Sequence, residues 1–105
     1  MAQTVQEIFD HIVTMDSSRV QGINGVMFFD LSGEGGGQWT LTLKDDGVTV
    51  ENGRTATPNV TFSMAAQDFI AIANGSLNPV SAFMQGKVRV SGDMGLAMRL
   101  QSLLS

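Results

Sequence analysis

The sequence predicts an α+β domain in which helices cover one face of a largely antiparallel sheet. The first observation is the order of hydrophobic periodicities: a helix, four strands, two helices, a strand and a final helix. The second is the strict alternation over residues 38–44, which places Trp39, Leu41 and Leu43 on a covered face and polar residues on a wet face. The third is the final helix, whose apolar residues span roughly 220° of its circumference, against ~100° for an ordinary surface helix.

The length and charge of the chain limit the classes of protein to consider. A chain of 105 residues suits one domain, residues 1–105, with a hydrophobic core of its own, and it has no cysteine for a disulfide or a thiolate. Ten acidic residues against six Lys and Arg give a net charge of −4, which argues against binding to nucleic acid through its phosphates.

Targeting signals are not evident in the sequence. The first residues lack a basic segment followed by an apolar run, and no stretch approaches the ~20 apolar residues of a membrane span. The last three residues, Leu103-Leu104-Ser105, do not form a peroxisomal signal. We therefore expect a cytoplasmic protein.

The first half of the chain predicts one helix and four strands. Apolar residues at i, i+3, i+4, i+7 and i+8 from Val5 to Val13 predict a helix over 4–15, with Thr4 as its cap and His11 at the edge of the apolar arc. Strands are predicted over 25–31, 38–44, 48–51 and 60–64, and the first is apolar on nearly both faces. Residues 45–47 predict a tight hairpin turn.

The second half predicts three helices around one strand. A helix over 65–73 ends at Asn74-Gly75, and Asn78 caps a short helix that begins at Pro79 and ends before Gly86. Residues 87–91 alternate as a strand, and Asp93 can cap the final helix.

Motifs for catalysis or for phosphate binding are missing from the sequence. The glycines of 33–37 are followed by a strand, whereas a phosphate-binding loop requires a helix N-terminus at that point. Asp30 interrupts an apolar strand, and its place beside a Ser-Gly turn favours a solvated carboxylate over a buried one. We predict no enzyme activity, no metal site and no cofactor.

Three polar residues could serve a ligand. Gln101 projects into the apolar arc of the final helix, and Gln85 ends the Phe83-Met84 turn. An amide in an apolar wall needs a hydrogen-bond partner, which is either a ligand head group or, for Gln101, backbone and solvent near the chain end. Arg19 could hold a carboxylate or could be an ordinary surface arginine.

The run from Asn78 to Leu104 resembles the sterol carrier protein 2 family of lipid-binding domains. The resemblance rests on Asn78-Pro79, Ser81-Ala82-Phe83, Gln85-Gly86-Lys87, Ser91-Gly92-Asp93 and Met94-Gly95-Leu96-Ala97-Met98, and it extends back through 60–64 and 69–72 to Trp39. It implies a five-stranded, mixed but largely antiparallel sheet with helices on one face and a hydrophobic tunnel between them.

The resemblance also implies a set of ligand-binding residues. Members of the family bind fatty acids, acyl-CoA esters, sterols or phospholipids, and some are domains of enzymes. The implied ligand-binding residues, including the polar Gln85 and Gln101, are Phe69, Ile72, Phe83, Met84, Gln85, Leu96, Met98, Leu100, Gln101 and Leu104. The acidic balance departs from basic members and weakens the expectation of docking on anionic membranes.

The leading hypothesis is therefore non-catalytic binding, with transfer as an extension, of a lipid or other hydrophobic small molecule. We expect no nucleic-acid partner, no more than transient membrane contact, and a monomer or weak dimer. One alternative is an interaction module whose groove takes a partner helix or a second copy. Another is an accessory domain that presents an acyl substrate to a separate enzyme. A hot-dog thioesterase has the same fold class, but no placed acid–base residues support it.

Overall fold

The structure is a computed structural model that describes residues 4–14, 22, 24–44 and 47–104, with side chains described as far as Arg99. Four helices and five strands are present in these residues. In chain order they are α1 (Val5–Val13), β1 (Gly25–Ser32), β2 (Gly37–Lys44), β3 (Gly47–Asn52), β4 (Val60–Ala65), α2 (Ala66–Ala73), α3 (Pro79–Met84), β5 (Val88–Gly92) and α4 (Met94–Leu104). The predicted order of elements is confirmed.

The five strands form one mixed sheet in the order β3-β2-β1-β4-β5. β1 and β4 are parallel and place Phe29 opposite Phe62, while the other three pairs are antiparallel. In the pair of β2 and β3, Lys44 lies opposite Gly47, and the predicted turn residues Asp45 and Asp46 lie outside the described residues. The mixed, largely antiparallel α+β sheet is thus confirmed.

Side-chain caps explain where α1 and α3 begin. The Thr4 hydroxyl oxygen accepts a 3.1 Å hydrogen bond from the Glu7 N–H at the start of α1. The Asn78 Oδ1 atom accepts hydrogen bonds from the N–H groups of Val80 and Ser81, at 2.8 and 3.1 Å. Each cap supplies a partner for backbone N–H groups that have none within the first turn of a helix.

An aromatic cluster joins the helices to the inner face of the sheet. The Phe9 ring of α1 stacks on Trp39 and on Phe69, with centroids 5.2 and 5.3 Å apart, and meets Phe29 edge-on at 5.2 Å. Phe29 stacks in turn on Phe62 at 5.1 Å. Aromatic pairs at these separations add about 0.5–1.5 kcal/mol each beyond the burial of their area. This cluster holds α1 and α2 on the same face of the sheet.

The outer face of the sheet is not wholly wet, which corrects the expectation for Thr40. The Thr40 side chain is fully buried; its hydroxyl donates to the Gly53 carbonyl at 2.6 Å and accepts from the Thr55 N–H at 3.1 Å. Beside it Phe28 is buried under the Arg54 guanidinium, whose carbon lies 5.7 Å from the ring centroid. The segment after β3 therefore folds over this part of the outer face, and this explains why β1 is apolar on both sides.

Candidate ligand site

An open apolar cleft of about 310 Å³ lies on the helix-covered side of the sheet, at its β4–β5 end. Its floor comes from inner-face positions of β4 and β5, where Phe62 lies opposite Val90 and Met64 opposite Val88. Helices α2, α3 and α4 supply the walls. The described residues that line the cleft are Phe62, Met64, Phe69, Ile72, Pro79, Val80, Phe83, Val88, Val90, Met94, Ala97 and Met98.

The mouth of the cleft leaves large apolar side chains in contact with solvent. Phe83 and Met94 are 48% and 50% exposed, and Met98 is 63% exposed. Clusters of exposed apolar side chains on monomeric proteins mark binding sites more often than ordinary surface. Because the mouth is this exposed, the described residues form an open cleft and do not close the tunnel that the family resemblance implied.

Four of the predicted site residues line this cleft: Phe69 and Ile72 from α2, Phe83 from α3 and Met98 from α4. Phe69 is fully buried and contacts both Phe9 and Phe29, so it connects the cleft to the aromatic cluster. Their role in binding stays a prediction, since what the structure gives is their position.

Three other predicted residues lie elsewhere. Ala82 is buried and defines the inner side of α3. Met84 lies about 200° further round this helix, so it is 80% exposed and does not line the cleft. Gln85 is the exposed C-cap of α3, with its N–H 3.0 Å from the Ser81 carbonyl. Leu96 is buried on the other side of α4, beside Gly25.

The remaining predicted site residues are Leu100, Gln101, Leu104 and Arg19. The side chains of Leu100, Gln101 and Leu104 and all of Arg19 lie outside the described residues.

Eight lining residues were missed at the level of the sequence, although periodicity contained a signal for most of them. Phe62, Met64, Val88 and Val90 occupy alternate positions of two strands, and each alternation assigns them to one face. Met94 lies one turn before both Ala97 and Met98, which places the three residues on one side of α4. The remaining two, Pro79 and Val80, belong to the first turn of α3.

A set of close contacts anchors the start of α4 beside the cleft. Asn59 accepts from the Val26 N–H through Oδ1 at 2.8 Å, and its carbonyl accepts from the Asp93 N–H at 2.8 Å. Asp93 Oδ1 then caps α4 by accepting from the Leu96 N–H at 3.1 Å. A Cβ atom at Gly25 would lie 2.6 Å from Leu96 Cδ2, so the glycine makes room for this leucine. The anchor fixes the turn of α4 that carries Met94, Ala97 and Met98 to the cleft.

The chemistry available around the cleft is that of hydrocarbon and thioether groups. Within residues 4–14, 22, 24–44 and 47–99, His, Asp and Glu side chains do not gather in groups of three that could hold a metal ion. Over the same part of the chain, none of the helices has the length and hydropathy needed to cross a bilayer. The described lining can exclude water from an apolar ligand, and it offers no placed acid or base for a reaction.

The fold and the cleft define a class: a small α+β domain with a mixed five-stranded sheet, helices on one face and an apolar cleft between the layers. The family within this class follows from comparison with known proteins. The model of the SCP-2 sterol transfer family matches residues 5–105, and the chain belongs to this family.

Curated relatives at this level of similarity are longer proteins. Hydroxysteroid dehydrogenase-like protein 2 of Xenopus laevis is 40% identical over 105 residues, which cover 98% of this chain. The chain spans 25% of the length of that relative, so the match corresponds to one part of a larger protein.

Solved structures of similar size share the fold. Sterol carrier protein 2 like 2 from Aedes aegypti superposes with a TM-score of 0.75 at 30% identity, covering 92% of this chain and 89% of that one. The solution structure of palmitated SCP2L2 from the same organism gives a TM-score of 0.76 at 29% identity, covering 95% and 89%.

Proposed function

We propose that this chain binds one lipid-like ligand in the cleft between β4, β5 and helices α2, α3 and α4, without catalysing a reaction on it. The observation that supports the proposal most is the apolar lining around about 310 Å³. Ligand pockets range over about 300–1,000 Å³, so this one suits a single chain or ring system. The palmitated relative, at 29% identity, supports a fatty acyl chain as the ligand.

The physical reason for binding is the removal of apolar surface from water. Each buried methylene contributes about 0.8 kcal/mol, which corresponds to about a fourfold change in the dissociation constant. The exposed fractions of Phe83, Met94 and Met98 show that these side chains have surface left for a ligand to cover. A ligand that covers them gains this contribution without displacing the buried aromatic cluster.

The test is uptake of palmitate by the purified chain, measured by native mass spectrometry and by displacement of a fluorescent fatty acid. We expect one ligand per chain, and affinities that rise with chain length from octanoate to palmitate. No uptake of any fatty acid, acyl-CoA or sterol would overturn the proposal.

Two neighbouring variants on α3 provide a matched control. Phe83→Gln removes an apolar wall residue of the cleft, whereas Met84→Gln changes a side chain that is more exposed and does not line it. We expect about a tenfold weaker affinity for Phe83→Gln, equivalent to about 1.4 kcal/mol, and less than a twofold change for Met84→Gln. Equal effects of the two substitutions would place the ligand elsewhere.

Further features of the proposal concern partners and location. We propose that the chain acts as a monomer or weak dimer in the cytoplasm, and that contact with a membrane is transient. Size-exclusion chromatography with light scattering tests the assembly, and flotation with phosphatidylcholine vesicles tests the membrane contact. Stable binding of the chain to these vesicles would contradict the proposal that its contact with a membrane is transient.

A second candidate function is supported by the length of the relatives. Because the match covers a quarter of a protein named as dehydrogenase-like, we propose as the alternative that the domain presents an acyl substrate to an enzyme. Lipid binding is common to both functions. Co-purification of a dehydrogenase activity with the chain distinguishes the accessory role, whereas transfer of lipid between vesicles without such a partner favours the carrier role.

A further inference from the structure

Methionines are concentrated at the cleft. The chain has seven methionines, and three of the five described ones, Met64, Met94 and Met98, line this single site. Met27, a residue of β1, is buried in the core, and Met84 is exposed on α3 away from the cleft. Most of the described methionines therefore lie at the cleft, and the three that line it differ in how far solvent reaches them.

Two of the cleft methionines are accessible to reagents in solution. Met94 is half exposed and Met98 is more exposed, while Met64 on the floor of the cleft is buried. The thioether sulfur of an accessible methionine is oxidised to the sulfoxide by peroxides, and this turns a flexible apolar side chain into a polar one. Met94 and Met98 are thus positions where an oxidant can reach the lining of the site.

We propose that Met94 and Met98 form an oxidation site through which hydroperoxides lower the affinity of the cleft for its ligand. The inference rests on the proposed function, since it concerns the same cleft. In the reaction the sulfur lone pair attacks one peroxide oxygen, the O–O bond breaks, and an S–O bond forms. The sulfur is oxidised by two electrons and the hydroperoxide is reduced by two. With hydrogen peroxide, the attacked oxygen stays on sulfur, and its proton passes to the departing hydroxide, which leaves as water.

The polarity of the sulfoxide explains the loss of affinity. A sulfoxide oxygen is a strong hydrogen-bond acceptor that is solvated while the cleft is empty. An acyl chain that covers Met94 and Met98 would remove this water, and the described lining of hydrocarbon and thioether groups supplies no donor to replace it. We expect the affinity for palmitate to fall by about tenfold or more, in the range set by burial of one unpaired polar group.

Occupancy of the cleft protects the same two residues. A bound chain that covers the thioethers keeps the peroxide away from them, whereas Met84 remains accessible in both states. Oxidation therefore acts on empty protein and keeps it empty. Reduction by methionine sulfoxide reductases would restore binding, because the sulfoxide is the reversible step of methionine oxidation.

The experiment compares the wild-type chain with two variants before and after treatment with hydrogen peroxide. Met94→Leu/Met98→Leu keeps the volume and apolar character of the lining but removes both thioethers. Met84→Leu removes a more exposed thioether away from the site. Palmitate affinity is measured by displacement of a fluorescent fatty acid, peptide mass spectrometry locates the sulfoxides, and circular dichroism verifies that the oxidised chains remain folded.

We expect oxidation to weaken palmitate binding in the wild type and in Met84→Leu, and to leave the double variant within twofold of its starting affinity. Bound palmitate should slow the oxidation of Met94 and Met98 at least fivefold and should leave the oxidation rate of Met84 unchanged. If the reduced wild type binds and its oxidised form binds equally, the inference alone fails. If the reduced wild type takes up no ligand, the proposed function fails and the inference with it. Unfolding of the oxidised wild type while the double variant stays folded would also overturn it, because the loss would then be structural.

Discussion

Substitution of Gly92 by alanine should detach the start of α4 from the sheet. Gly92 has a φ of +110°, and a Cβ atom there would overlap the Asn59 carbonyl oxygen and lie 3.0 Å from the Val60 Cα. The clash is with backbone, which cannot move aside as a flexible side chain can. The same carbonyl accepts the Asp93 N–H at 2.8 Å, so a shift that relieves the overlap also breaks the hydrogen bond that leads into α4.

The magnitude follows from adding the separate effects. A positive φ destabilises an L-residue by about 1–2 kcal/mol. Loss of a backbone hydrogen bond lowers the free energy of unfolding by about a further 1 kcal/mol. We expect Gly92→Ala to lower the free energy of unfolding by about 3 kcal/mol or more once the overlap is included. The matched control is Gly86→Ala, at a φ of +76° with open space around its Cβ, where only the first effect, about 1–2 kcal/mol, applies.

Urea unfolding followed by tryptophan emission measures both variants. Trp39 is the single tryptophan, and the chain has no tyrosine. The Trp39 ring lies in the aromatic cluster, away from Gly92. It therefore reports global unfolding and is not altered directly by the substitution. If Gly92→Ala and Gly86→Ala lose the same stability within about 0.5 kcal/mol, the anchor formed by Asn59, Gly92 and Asp93 does not have the role assigned to it.

Three further variants are expected to lower the free energy of unfolding, which urea unfolding measures in each case. Phe9→Ala removes a fully packed ring from the aromatic cluster and should destabilise the chain by about 3–5 kcal/mol; a loss under 1 kcal/mol would contradict the packing described. Thr40→Val leaves the Gly53 carbonyl and the Thr55 N–H without their partner and should cost about 1–3 kcal/mol, whereas no loss would show that water replaces the hydroxyl. Asn59→Ala removes one hydrogen bond to the Val26 N–H and should lower the free energy of unfolding by about 1 kcal/mol. Because α4 is then held less firmly, palmitate should also dissociate faster. An unchanged dissociation rate would count against the link between Asn59 and α4.

The elements could be predicted from the sequence because local rules decide them. Thr4 and Asn78 cap helices through hydrogen bonds that span two or three residues, and alternation over β2 requires no knowledge of the rest of the fold. Predicted and observed boundaries agree within two residues throughout. The burial of Thr40 could not be predicted in this way, because it depends on where the segment after β3 crosses the sheet.

The lining of the site was harder to predict because it depends on contacts between elements. The wide apolar arc of α4 indicated that this helix has apolar neighbours on more than one side, and it does: Leu96 packs beside Gly25, while Met98 lines the cleft. The sequence pattern could not assign those two residues to different neighbours. Similarly, Phe83 and Met84 are adjacent and both apolar, and the burial of Ala82 determines which of them lines the cleft.

The central claim, that an apolar chain occupies this cleft, is tested most directly by nuclear Overhauser effects between palmitate and methionine methyl groups. With ¹³C-methyl methionine in the protein, we predict intermolecular signals from the bound chain to Met64, Met94 and Met98, which line the cleft. Met27 in the core and Met84 on the outer side of α3 serve as internal controls and should give none. Signals to Met84 without signals to Met94 and Met98, or no intermolecular signals at saturating palmitate, would contradict the account.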